Sequence, residues 1–186
     1  MALPLGILDQ SPVVSGARPR DAVLATLALA REAERLGYHR YWLAEHHAMQ
    51  GLADPAPEIL LARIAADTTR MRVGTGGVLL PHYSALKVAE QFRMLDALAP
   101  GRIDLGIGRA PGGSQRVSIA LESAEIQRFP RQVRDLVGFL DRSLPVDHPF
   151  AKLVAMPSGE TSPETWLLGS SDYSAALAAE LGLPFT

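Results

Sequence analysis

Apolar residues in this chain fall into short continuous runs of about four to eight, the length of buried strands. The runs alternate with longer stretches in which apolar positions recur every three or four residues. Leu3 to Leu8 reads as a strand stopped by Asp9-Gln10-Ser11-Pro12. The following period predicts a helix from about Asp21 to Leu36, with Val23, Leu24, Leu27, Ala30, Ala33 and Leu36 as its apolar stripe and Gly37 as its terminator. Residues 39–45 form a second strand, and Pro57 opens a second helix with Ile59, Leu60 and Ile64 directed inward. Arg72 to Leu80 is a third strand, Ser84 caps a helix running to Leu98, and Arg102 to Gly108 is a fourth strand. A helix over about Pro130 to Arg142 precedes a proline-bearing excursion from Leu144 to Pro163 that shows no period. Thr165 to Leu168 is a fifth strand, Asp172 to Leu181 a fifth helix stopped by Gly182, and Leu183 to Thr186 begins a sixth strand.

Strict strand–helix alternation implies an α/β fold with a parallel sheet covered by helices. Periodicity leaves two forms open, a doubly wound open sheet and a (β/α)8 barrel. The 186 residues suit one domain over 1–186. Hydrophobic residues make up 47% and charged residues 20%, which excludes a disordered chain. The net charge of −2, with no basic run, argues against nucleic acid as a partner. There is no cysteine, which removes disulfides, thiolate nucleophiles and cysteine metal sites together. No basic leader and no span of roughly 18 apolar residues is present, so a cytoplasmic protein without membrane contact is expected.

In such folds ligands and chemistry collect beyond the carboxyl ends of the strands. The second strand ends there in Glu45-His46-His47. Neighbouring side chains on an extended segment point opposite ways, so at most one histidine faces the site. That geometry weakens metal chelation and favours an acid/base or hydrogen-bonding role; no metal site is expected. Gly74-Thr75-Gly76-Gly77 lacks the Gly-Lys-Ser/Thr of a phosphate loop. Glycine inside a buried strand marks a bulge or the close approach of another group, a flat ring included. Gly106 to Gly112 departs from the dinucleotide fingerprint through Pro111 and lacks the following acid. Gly169-Ser170-Ser171 opens a helix, and Arg109 ends the neighbouring strand on the same face. A helix N-terminus and a guanidinium together favour a phosphorylated cofactor, provided that Asp172 turns away.

Tyr41 to His47, Val73 to Pro81, Gly101 to Arg109 and Leu167 to Ser171 together resemble the bacterial luciferase-like flavin monooxygenases, in order and spacing along almost the whole chain. The resemblance implies a TIM-type (β/α)8 barrel with reduced FMN at its mouth, used with O2 to oxidise a small organic substrate. It also implies a separate flavin reductase and a homodimer. His46 matches the family's histidine for acid/base chemistry, and Gly76 and Gly77 the strand under the flavin ring, where members can have a non-prolyl cis peptide. Arg109, Ser171 and Ser174 match phosphate-binding positions; Ser170 stands where the luciferase α-subunit has an acid. A non-catalytic flavin-binding protein and an F420-dependent oxidoreductase are the alternatives within the same resemblance. A barrel of this type takes about 250 residues, so the chain is expected to hold an incomplete one, truncated at its C-terminus, with about five βα units and the start of a sixth strand.

Overall fold

The computed structural model describes residues 3–186. Five strands, β1 (Gly6–Asp9), β2 (Arg40–Leu43), β3 (Arg72–Leu79), β4 (Ile103–Gly108) and β5 (Glu164–Leu167), pair in parallel and in the order of the sequence. A doubly wound sheet would reverse its order part-way; this one does not, so the sheet curves as the first five strands of a (β/α)8 barrel. Pro184 to Thr186 continues it beside β5. The Leu167 N–H donates to the Pro184 carbonyl at 3.0 Å, and the Thr186 N–H to the Leu167 carbonyl at 3.1 Å.

The helices are α1 (Pro19–Arg35), α2 (Pro57–Asp67), α3 (Ala85–Leu98), the short α4 (Gln115–Ala120), α5 (Phe129–Asp141) and α6 (Asp172–Leu181). Among the described residues, no helix is long and apolar enough to cross a membrane. Gly37 and Gly182 follow α1 and α6 with φ of 82° and 66°, the left-handed conformation that glycine adopts without steric cost. Ser84 Oγ accepts the Lys87 N–H at the start of α3. Ile103, Leu105 and Ile107 of β4 join Val73, Tyr41 and Leu43 against the helices, in a continuous cluster with Leu61, Phe92, Val133 and Leu136. Alternation along each strand sends the other residues to the barrel side. There Asp104, fully buried, accepts Trp42 Nε1–H at 2.8 Å and Arg72 Nε–H at 2.7 Å, with Arg40 Nη1 at 3.2 Å.

Several expected details are corrected. The β1 strand begins at Gly6, and Leu3 and Leu5 are exposed. Ile59 is 69% exposed: α2 buries Pro57, Leu61, Ile64 and Ala65, and Ile59 lies about 200° around the helix from Pro57. Leu24 and Leu36 are likewise exposed, because α1 packs through Ala22, Thr26, Ala30 and Ala33. The 144–163 segment contains no helix or strand. It is tied to α3 by Arg93, buried, which donates to the carbonyls of Thr161 and Leu140, and by the Thr161 hydroxyl, which donates to Asp96.

Candidate functional site

The carboxyl ends of all five strands border a cavity of about 530 Å³. From β1 and the residues after it come Leu8 and Gln10, and from the end of β2 Ala44, Glu45 and His46. β3 contributes Gly76, Gly77 and Leu79, and β4 contributes Gly108 with Arg109 following. The turn after β5 and the start of α6 add Gly169, Ser170, Ser171 and Ser174. All seven residues singled out in the sequence therefore border one space.

The two histidines diverge. The His46 N–H donates to the Asp54 carbonyl at 3.1 Å, and its buried Nδ1 has no hydrogen-bond partner among the described residues. His47 turns instead to Glu45, with Nε2 2.6 Å from Oε1; a carboxylate only accepts, so Nε2 carries the proton. Glu45 is buried and accepts twice more, from the Tyr83 hydroxyl at 2.6 Å and from the Leu79 N–H at 3.0 Å. Burial, with the Glu45 carboxylate beside it, pushes the Tyr83 hydroxyl well above the ordinary phenol range, which keeps it a donor. One carboxylate thus joins the end of β2 to the end of β3. The Glu-His-His cluster was visible in the sequence, but this function of the acid was not, because two of its donors lie on another element. A second acid beside this cluster, Asp54, was not singled out in the sequence. It is 2% exposed, with Oδ1 accepting the Ala56 N–H at 3.1 Å and Oδ2 unpartnered among the described residues.

The Gly76–Gly77 peptide is cis, and the β3–β4 register shifts between Thr75 and Val78 around it. A Cβ at Gly76 would lie 2.6 Å from Leu8 Cδ1, and one at Gly77 would lie 2.7 Å from the Gly106 carbonyl oxygen. The bulge therefore presents bare backbone to the cavity. On the β4–β5 side, Arg109 is half-buried, and its guanidinium carbon lies 4.5 Å from the centroid of the Tyr173 ring. Ser171 is the N-cap of α6, yet its side chain makes no capping hydrogen bond, so the hydroxyl and the first N–H groups remain available. Ser174 is buried, and Gly169 leaves room for it: a Cβ there would sit 2.6 Å from Ser174 Oγ. Asp172 is exposed and does not border the cavity. Among the described residues, no three His, Cys, Asp or Glu side chains are grouped to hold a metal ion.

A family model described as luciferase-like monooxygenase matches residues 5–186. A luciferase-like monooxygenase of Escherichia coli (strain K12) is 51% identical over 183 residues, which are 96% of this chain and 53% of that protein. An N-acetyl-S-alkylcysteine monooxygenase of Bacillus subtilis (strain 168) is 46% identical over 184 residues, covering 97% and 55%. The crystal structure of apo-MsnO8 superposes with a TM-score of 0.89 at 49% identity, over 98% of this chain and 53% of the other. The oxygenating constituent of 3,6-diketocamphane monooxygenase, solved with FMN, has a TM-score of 0.79 over 100% and 57%; its 22% identity speaks to the fold alone. The chain spans about half the length of the curated relatives it matches.

Proposed function

On the premise that this chain belongs to the luciferase-like monooxygenase family, we propose that it forms the flavin-holding side of an FMN-dependent monooxygenase that oxidises a small organic substrate with O2. The observation that carries this reading is the convergence of Arg109, Ser170, Ser171 and Ser174 on a cavity whose β2–β3 side is bare glycine backbone and His46. A phosphate at the start of α6 meets peptide N–H groups, hydroxyls with no capping duty and a cation. A flat ring lies against Gly76 and Gly77, which border the cavity and have no room for a side chain beside Leu8 and the Gly106 backbone. Reduced FMN, when bound, supplies the electron pair with which O2 is activated. His46 holds or moves the proton at its Nδ1, which the described residues leave unbonded. Glu45 fixes the strand ends that carry His46 and the glycines.

The remaining parts of the proposal follow the family. The reduced cofactor comes from a separate flavin reductase, and residues 1–186 belong to one barrel domain that works in the cytoplasm as a homodimer. Exposed Ile59, Met94 and Leu98 on the adjacent helices α2 and α3 offer a surface for that association.

Titration with FMN, riboflavin and F420, in wild type and Arg109→Ala, tests the reading. Saturable FMN binding, weakened by the substitution about tenfold or more, is expected, since a hydrogen bond to a charged group contributes about 1.5–3 kcal/mol. Preference for F420 would transfer the site to a deazaflavin oxidoreductase. Stable FMN without substrate oxidation in the full-length protein would make it a non-catalytic flavoprotein.

A further inference from the structure

We propose that Tyr173 is a positioning residue for the cofactor's phosphate end: its ring holds Arg109 so that the chain discriminates a phosphorylated flavin from an unphosphorylated one. This rests on the FMN reading above. Tyr173 lies in the first turn of α6, between the Ser171 N-cap and Ser174, and is 45% exposed. At that exposure it stands outside the buried apolar core. Its neighbour across the β4–β5 boundary is Arg109, whose guanidinium carbon lies 4.5 Å from the ring centroid.

Arg109 borders the cavity and enters no ion pair among the described residues, unlike Arg40 and Arg72 at the opposite ends of the strands. A long side chain without a carboxylate partner keeps much rotamer freedom, and capturing a phosphate would remove it. A guanidinium over an aromatic face is attracted by the ring's π system. That contact is not a hydrogen bond, so it leaves the Arg109 N–H donors for the forked hydrogen bonds that phosphate oxygens accept. Tyr173 is therefore placed to restrict Arg109 before the cofactor arrives without occupying its donors. The phenol oxygen has no part in this, so phenylalanine serves equally well, whereas an aliphatic residue does not.

The test is the ratio of FMN to riboflavin dissociation constants, measured by flavin fluorescence in the full chain. The variants are Tyr173→Phe, Tyr173→Leu, Arg109→Ala and the Arg109→Ala/Tyr173→Leu double variant. Tyr173→Phe is expected to match wild type. Tyr173→Leu should weaken FMN about two- to fivefold, the range of an exposed cation–π pair, and leave riboflavin unchanged. On the Arg109→Ala background the leucine should have no further effect. An unchanged FMN preference in Tyr173→Leu, while Arg109→Ala abolishes it, would overturn the proposal and spare the phosphate site. Equal weakening of both flavins, or tighter FMN binding, would also overturn it, the latter by showing that the ring draws Arg109 away. If Arg109→Ala itself keeps the preference, the phosphate reading fails and this inference with it.

Discussion

Asp54→Asn is expected to stabilise the protein at neutral pH and to have little effect near pH 4. Burial is the first cause: Asp54 is 2% exposed. The negative charges of Glu58, Glu45 and Asp9 add to it, the Ala56 N–H opposes it, and the carboxyl is raised from 3.8 to about 6. The folded protein then keeps this proton through a range in which the unfolded chain has lost it. A raised acid contributes stability that is complete below the unfolded value, near pH 4, and declines until the folded value near pH 6 is passed. At 1.36 kcal/mol per pH unit, the interval corresponds to about 3 kcal/mol. Asparagine preserves the Oδ1 acceptor for the Ala56 N–H and never ionises. Denaturant unfolding of wild type and variant at several values between pH 4 and 8 should show their difference growing by up to about 3 kcal/mol, then levelling above pH 7. A difference that stays constant with pH would refute the reasoning, since it would mean that Asp54 ionises alike in both states.

Glu45→Gln is expected to destabilise by about 2–4 kcal/mol in the same unfolding assay. An amide presents one acceptor and two donors to a site where three donors converge. Asp104→Ala should cost about 3–5 kcal/mol by leaving Arg40 and Arg72 short of their buried carboxylate, and Glu164, 3.2 Å from Arg72, recovers only part of that. Gly106→Ala places a methyl group against the Thr75 carbonyl oxygen, so it should lower the melting temperature by many degrees and loosen β3–β4 pairing, seen as faster amide exchange in both strands.

The alternation of strands and helices was legible because each run carries its own period, and the end of β2 stood out because its aromatic and apolar residues stop at an acid and two histidines. Strand order was not legible from period, since pairing is decided by residues far apart, such as Gly74 beside Asp104. Of the stripe expected for α1, Ala30 and Ala33 are buried and Leu27 packs on the core, while Leu24 and Leu36 remain outside, because small residues at 22, 26, 30 and 33 let the helix sit close to its neighbours. The short helix α4 buries none of its residues, so no pattern announced it. At the site, residue types pointed to a phosphate and a ring. The contacts of Glu45 with Tyr83 and of Arg109 with Tyr173 join separate elements and needed coordinates.

The barrel-side residues change character along the three central strands, β2 to β4. Arg72 gives way to Gly74 and Gly76, Asp104 to Gly106 and Gly108, and Arg40 and Trp42 to Ala44. Side-chain volume therefore falls from the amino to the carboxyl end, and the depth of the cavity is written in where glycine and alanine begin. The opposite faces of the same strands carry the apolar cluster beneath the helices. Pocket depth and core packing are thus held on separate sets of alternating positions. A lineage could fill the mouth by an exchange at Gly108, where a Cβ meets nothing nearer than 3.4 Å, whereas Gly74 and Gly106, packed against neighbouring backbone, stay fixed together with the outer set.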